Sequence, residues 1–253
     1  MIEITSKNNE TIKNLIKLKQ KKYRDSTNSF LLEGYKVILE ALNSGYKVLD
    51  VLLTDKALEK YSHKLNKYSV NLIKISASVV NALKSSVTSQ EIFAVVENKT
   101  VSNLSNGSFV ILDGLQDPNN LGAIFRVCAS TNFKNVLMLN CVDYLNDKVI
   151  RASMGNLFKL NLLNVNYNYL LNYCKDKVVF CADMSGENLF KTEKPISSFG
   201  VIFGNEGNGV SENVKNIATK TVSIPMYNGV ESLNVSVSAG IILYQLGVNT
   251  SQR

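Results

Sequence analysis

Five short, almost wholly apolar runs occupy the second half of the chain: Phe109–Leu112, Val136–Leu139, Val178–Cys181, Val201–Phe203 and Thr221–Ile224. The stretches between them, such as Leu121–Ser130, are long enough to form helices. A strand with one wet face alternates apolar and polar residues, whereas a strand buried on both faces reads as a continuous apolar run. The pattern therefore predicts an α/β domain with a mostly parallel sheet covered by helices on both sides.

The first half is organised differently. Residues 8–24 read as one helix, with Ile12, Leu15 and Ile16 on one side and Lys13, Lys17 and Lys21 recurring every fourth residue on another. Lys19, Lys22 and Arg24 lie close to that row. A second helix, Glu33–Asn43, ends at Ser44-Gly45, and strands are expected at Val48–Leu53, Asn71–Ile75 and Ile92–Val96. These elements define a small α/β domain over residues 1–98. The polar stretch around Asn98–Ser108 supplies a linker, 99–108, and the second domain spans 109–253.

Charge separates the two halves. Residues 1–100 carry 16 Lys/Arg against 10 Asp/Glu, while residues 101–253 carry 12 against 11. The basic excess thus lies in the first domain and points to a polyanion held there, with Lys13, Lys17, Lys21 and Arg24 as the contact residues. A lysine-rich solvated surface is the plain alternative. No run of 18 apolar residues is present, and Met1-Ile2-Glu3-Ile4-Thr5 lacks the basic-then-apolar order of a secretory signal, so a cytoplasmic location without a membrane is expected. Cys128, Cys141, Cys174 and Cys181 show no C-x-x-C spacing and His63 is the sole histidine. A metal site is not expected, and Ser-His-Asp or Cys-His catalysis drops from the leading options.

Three polar segments interrupt the apolar runs. In Leu112-Asp113-Gly114-Leu115-Gln116-Asp117-Pro118-Asn119-Asn120, a strand gives way to a turn, and a helix is expected to start near Asn120. Arg126, flanked by Ile124, Phe125, Val127 and Cys128, would emerge at the edge of a packed layer, placed to bind a phosphate. In Phe203-Gly204-Asn205-Glu206-Gly207-Asn208-Gly209, the glycine spacing is not that of a phosphate loop, and Glu206 would repel a phosphate. In Ile224-Pro225-Met226-Tyr227-Asn228-Gly229, a strand ends in a turn, and Ser232 is expected to cap the last helix.

Taken in order, Asp117-Pro118-Asn119-Asn120-Leu121-Gly122-Ala123-Ile124-Phe125-Arg126, the Gly204–Gly209 loop, and Ile224-Pro225-Met226 with Glu231-Ser232-Leu233-Asn234-Val235-Ser236 closely resemble the SpoU/TrmH branch of the SPOUT methyltransferases. Arg151-Ala152-Ser153-Met154-Gly155 looks like the same family, and Phe30-Leu31-Leu32-Glu33-Gly34 resembles, less specifically, the substrate-binding domain often attached to it. The resemblance implies a trefoil-knotted SPOUT domain, a homodimer with its active site near the subunit interface, and S-adenosylmethionine as cofactor. Cofactor-binding positions would be Gly204, Asn205, Gly207, Ile224, Met226 and Leu233. Catalytic or RNA-orienting positions would be Asn120, Arg126, Glu206, Ser232 and Asn234.

The implied reaction is methylation of a ribose 2′-hydroxyl in RNA, with ribosomal RNA of the 23S kind expected ahead of tRNA. The family assigns the hydroxyl proton to Arg126, yet arginine stays protonated in proteins. Holding a phosphate and stabilising the developing alkoxide suit it better. Base methylation and a non-catalytic RNA-binding assembly factor are the competing readings.

Overall fold

The structure, a computed structural model, describes residues 1–99, 101 and 104–247. The chain forms two compact units: Met1–Thr100 with Leu145–Phe158, and Val101–Tyr144 with Lys159–Arg253.

The first unit contains β1 (Ile2–Ile4), α1 (Glu10–Lys17), α2 (Lys21–Thr27), β2 (Ser29–Glu33), α3 (Tyr35–Asn43), β3 (Val48–Leu53), α4 (Asp55–Leu65), β4 (Asn71–Ile75), α5 (Ala77–Leu83) and β5 (Ile92–Glu97). Its five-stranded sheet runs β1-β4-β3-β5-β2, parallel at β1-β4-β3 and antiparallel at β3-β5-β2. Ile12, Leu15, Leu18, Leu52, Ile73, Val79, Leu83 and Phe93 pack together in its core.

The helix expected over residues 8–24 is two helices. Leu18 turns inward to the core, and Lys19 Nζ donates to the carbonyls of Ala82 at 3.3 Å and Lys84 at 3.1 Å. Those long-range contacts hold the chain in a turn that local helix periodicity cannot anticipate. Glu33, expected in a helix, ends β2 instead; Gly34 (φ +102°) turns the chain into α3, and Gly45 (φ +73°) follows its end.

The second unit begins with β6 (Phe109–Asp113), α6 (Pro118–Ser130) and β7 (Asn135–Leu139). The next helix, α7 (Asp147–Ala152), belongs to the first unit, so the expected domain 109–253 is interrupted. Phe158 stacks on Phe30 at 6.0 Å and meets Tyr46 at 4.9 Å. Gly155 lies so close to α3 that a Cβ there would sit 2.9 Å from Glu40 Cβ. Those apolar and close-packed contacts explain why the Arg151–Gly155 motif leaves its own half of the sequence.

The second unit resumes with β8 (Asn161–Asn164), α8 (Tyr167–Cys174), β9 (Val178–Asn188), β10 (Phe199–Phe203), α9 (Glu212–Lys215), β11 (Lys220–Ser223) and α10 (Val235–Gly247). Its six strands run β11-β9-β10-β6-β7-β8, every pairing parallel. Phe109, Ile111, Leu137, Val179, Cys181 and Ile202 face one core with Leu170 and Val214. The alternate residues Val110, Leu112, Val136, Phe180, Val201 and Phe203 are buried too, as a sheet covered on both faces requires. Of the expected linker 99–108, residues 100, 102 and 103 lie outside the described residues. Ser105 is already tied to this unit, since its N–H and hydroxyl both donate to Asn135 Oδ1. No helix among the described residues is long and apolar enough to cross a membrane.

Candidate active site

A cleft of about 520 Å³ opens where β10 and β11 end, beside the middle of β9, lined by the loop Gly204–Gly209, residues from the Val222–Val235 segment and the start of α10. This volume lies within the range of small-molecule sites, and loops beyond the carboxyl ends of parallel strands are where open α/β sheets bind ligands. Gly204, Asn205, Gly207, Ile224, Met226 and Leu233 all line it, as do Glu206, Ser232 and Asn234.

The glycine loop is closed by its own backbone. Asn205 and Gly209 exchange two hydrogen bonds, each 2.9 Å. A Cβ on Gly204 would lie 2.2 Å from Gly209 C and Val210 N, so no side chain fits there. The Asn205 side chain is engaged inside the fold. Its Nδ2 donates to Gly114 O at 2.8 Å, and its Oδ1 accepts from the N–H groups of Gly207 at 2.9 Å and Asn208 at 3.1 Å. Asn205 therefore shapes the loop through its side chain. Buried Asp113 fixes the far end by accepting from Ser211 N at 2.8 Å.

Asn120 joins the three segments. It is 8% exposed near the start of α6, donates through Nδ2 to Glu206 at 2.8 Å and accepts through Oδ1 from Asn234 Nδ2 at 2.9 Å. The cap of α6 is Asp117, not Asn120: Asp117 Oδ1 accepts from Asn119 N at 2.9 Å, with Pro118 opening the helix. That leaves the Asn120 amide free for the site. Asn234 similarly takes the role expected of Ser232, because its Oδ1 accepts from Ser236 N at 2.9 Å at the start of α10. Ser232 is exposed at the cleft. Asn228 and Gly229 both have positive φ, +58° and +71°, forming the expected turn.

Arg126 stands apart from this network. It is exposed, does not line the cleft, and has no hydrogen-bond or ion-pair partner among the described residues. Six residues beyond Asn120, it lies about 9 Å along the helix and about 120° around it. Arg24 also departs from expectation. It is 6% exposed, and its guanidinium donates to Leu18 O at 2.8 Å, so it packs under α1 while Lys13, Lys17 and Lys21 stay exposed.

Two charged cleft residues were not anticipated. Asp183 Oδ2 and Lys215 Nζ are 2.8 Å apart, and Asp183 Oδ1 accepts from the N–H and hydroxyl of Ser185. The hydrogen bond from Lys215, followed by that from Ser185 N, holds the Asp183 carboxyl down at about 2. Asp183 lies just past the apolar core of β9, in a strand that continues to Asn188, well beyond the expected Cys181. The signal available was an acidic residue directly after the apolar run Val178–Ala182, as Asp113 follows Phe109–Leu112. Together the cleft offers apolar side chains at Ile224, Met226 and Leu233, and two carboxylates against one lysine. That donor set fits S-adenosylmethionine, an adenosine bearing a net positive charge.

Comparison with known proteins identifies the family. Residues 107–244 match the SpoU rRNA Methylase family, and residues 9–94 match the MRM3-like substrate binding domain. The 23S rRNA (guanosine(2553)-2′-O)-methyltransferase RlmP of Bacillus subtilis (strain 168) is 28% identical over 97% of this chain and 99% of its own length. The uncharacterized tRNA/rRNA methyltransferase MG252 of Mycoplasma genitalium is 30% identical, over 84% of this chain and 95% of its own. A crystal structure of an RNA 2′-O ribose methyltransferase superposes with a TM-score of 0.83 at 28% identity, covering 97% of this chain and 98% of that one. The chain belongs to the SpoU rRNA methylase family of S-adenosylmethionine-dependent RNA methyltransferases.

Proposed function

We propose that this enzyme methylates the 2′-hydroxyl of a ribose in 23S ribosomal RNA. The observation that carries the reading is the Glu206–Asn120–Asn234 chain of hydrogen bonds, which joins all three polar segments at one cleft. The likeness to RlmP supports 23S RNA ahead of tRNA.

S-adenosylmethionine, when bound, supplies a methyl group on sulfur that is already activated for transfer. The protein's task is to hold the ribose in line with it and manage the hydroxyl proton. Gly204, Ile224, Met226 and Leu233 form the wall for the adenosine, with Asn205 and Gly207 setting the loop's shape. Asn120 and Asn234 present amide groups of fixed orientation, and Glu206 and Ser232 supply acceptors and a donor at the cleft edge. Arg126 binds the phosphate beside the target ribose and stabilises charge developing on the 2′-oxygen. Only RNA offers that hydroxyl. Lys13, Lys17 and Lys21 hold phosphates at a distance from the target nucleotide.

A homodimer accounts for the position of Arg126. α10 is apolar, yet Val237 and Tyr244 are 49% and 50% exposed on one side of it. Gly240, between them, has nothing within 4 Å of where a Cβ would project, so another backbone could approach there. Tyr244 hydroxyl lies 3.3 Å from Ser130 Oγ, and Arg126 is one turn before Ser130 on α6. A second copy docked on this face brings Arg126 to the interface and toward the other copy's cleft. The trefoil knot and a cytoplasmic location belong to the same reading, the first supported by the match to the SpoU rRNA Methylase family.

The test is methyl transfer in vitro. Purified protein, radiolabelled S-adenosylmethionine and protein-free 23S RNA should give labelled dinucleotides that survive alkali, because a 2′-O-methyl blocks strand cleavage. Label in alkali-sensitive mononucleotides would mean base methylation. Label in tRNA alone would move the substrate, and cofactor binding without transfer would leave an RNA-binding factor.

A further inference from the structure

The first unit contains a concave site that the reaction at the cleft does not use. It measures about 240 Å³ and is lined by Glu33, Lys36, Val37, Thr88, Arg151 and Met154, with Ser86 and Gln90 completing its wall. Two chain features build it. The Glu33 carboxylate accepts from Ser85 N at 2.8 Å, from Ser86 N at 3.2 Å and from the Ser86 hydroxyl, which pins the segment before β5 as a fixed wall. Gln90 Oε1 accepts from Tyr35 N at 2.8 Å, which orients the amide and leaves Nε2 without a partner among the described residues.

The opposite side is closed by Arg151-Ala152-Ser153-Met154-Gly155, the motif from the second half of the sequence. Gly155 is pressed against α3, with 3.4 Å between a built Cβ and Val37 Cα. Met154 takes a positive φ of +53°, a conformation uncommon for a side chain of its size. Backbone strain of this kind persists where the surroundings over-determine it, and it clusters at binding sites. Here it presents Met154 to the pocket beside Val37.

The chemistry of the lining selects the ligand. Met154 and Val37 give an apolar surface for a flat ring, and Thr88 hydroxyl and Gln90 Nε2 offer hydrogen bonds to a ring edge. Lys36 is exposed and has no acidic partner among the described residues. Among the described residues Arg151 is ion-paired only within its own helix, Nη1 to Asp147 Oδ2 at 3.0 Å, with both side chains partly exposed. Such a pair contributes little and leaves guanidinium donors for a phosphate. RNA sequence is read mainly at unpaired nucleotides whose bases leave the stack. We propose that this pocket captures one unpaired nucleotide of the RNA substrate, its base against Met154 and Val37 and its phosphate between Lys36 and Arg151.

The inference rests on the RNA methyltransferase reading and adds a recognition site to it. The test uses the full chain with Lys36→Ala and Thr88→Val combined, and protein-free 23S RNA as probe. We expect RNA affinity to fall about tenfold and the salt dependence of binding to lose about one phosphate contact. Cofactor affinity, measured by calorimetry, should stay as in the unmodified protein, which reports an intact fold. A photoreactive benzoylphenylalanine in place of Thr88 should crosslink to a nucleotide that is unpaired in the RNA. Unchanged RNA affinity, or crosslinks confined to double-helical RNA, would overturn the pocket while leaving the methyltransferase reading in place. An unmodified protein that neither binds nor methylates RNA would sink both.

Discussion

Asn120 and Glu206, 86 residues apart in sequence, meet side chain to side chain with Nδ2 2.8 Å from Oε1. Because Oδ1 of the same amide accepts from Asn234, flipping the group would set its NH₂ against another NH₂ and its oxygen against a carboxylate. Only one orientation satisfies both neighbours. Asn120→Asp keeps the size and replaces the donor with a second negative charge facing Glu206. We expect kcat to fall about 100-fold, the scale that small misplacements of reacting groups produce. Single-turnover methylation of 23S RNA would measure it, and a rate within threefold of the parent would remove Asn120 from the machinery.

Arg126 should separate transfer from cofactor binding. It does not line the cleft, so Arg126→Ala should leave S-adenosylmethionine affinity within about twofold while reducing kcat by about 100- to 1000-fold, the range for losing one preorganised charge-stabilising group. Arg126→Lys keeps the charge and loses the planar fork. If the fork grips a phosphate, lysine should recover little of the loss. Near-normal transfer by the lysine variant would leave only a diffuse electrostatic role for this residue.

Much of this site could be read from the linear sequence because its parts sit at the ends of buried strands, where polar residues interrupt apolar runs. The polar segments were accessible in that way, while Asn205, Glu206, Ile224, Met226, Leu233 and Asn234 within them were singled out by the resemblance to the SpoU/TrmH branch. The capping roles of Asp117 and Asn234 were misplaced by three and two positions, since several neighbouring side chains can each cap a helix and only geometry selects among them. The Asp183–Lys215 pair escaped notice because its partners lie in β9 and α9 and meet only in the folded sheet. The burial of Arg24 and the break after Lys17 had the same cause: tertiary contacts from Leu18 and Lys19 overrode a helical lysine period. The transfer of Leu145–Phe158 to the first unit depends on Phe158 and Gly155 finding α3 and β2, contacts more than 100 residues distant in the chain.

Glycine substitutions should discriminate space from backbone conformation. At Gly204 the obstruction is the backbone of Gly209 and Val210 at 2.2 Å, which cannot rotate away. Gly204→Ala should therefore destabilise the second unit by about 3 kcal/mol or more and abolish cofactor binding. At Gly209 a Cβ has nothing within 4 Å, but φ is +69°. Gly209→Ala should cost only about 1–2 kcal/mol, the penalty of a left-handed residue. Urea unfolding of the two variants would rank them, and equal losses would mean that loop conformation, not contact, dominates.

The loss of stability between pH 4 and pH 2 should depend on Asp183. Its carboxyl ordinarily titrates at 3.8 and is held at about 2 here, first by the hydrogen bond from Lys215. A depressed acid stabilises the fold fully above its ordinary value and loses that contribution as the pH falls through the folded one. With Lys215 partly exposed, the contribution discounts to about 1 kcal/mol. Asp183→Asn should be less stable by that amount at pH 7, and the gap should close between pH 4 and pH 2. Parallel acid unfolding of the two proteins across that window would show that the pair is energetically idle.

The exposed apolar side of α10 supplies the remaining expectation. A charge at Val237 or Tyr244 costs the isolated chain little, because both side chains are half exposed, but it would be buried without a partner in a dimer formed on this face. Val237→Glu with Tyr244→Glu should convert the protein to a monomer in sedimentation. The cofactor cleft includes neither residue, so S-adenosylmethionine should still bind. Transfer should nevertheless fail, because Arg126 of one copy could no longer reach the cleft of the other. Adding an Arg126→Ala protein whose interface is intact would not restore activity to a stable monomer. A monomeric variant that methylates RNA at the parent rate would place Arg126 and the cleft within one chain and end the case for a shared site.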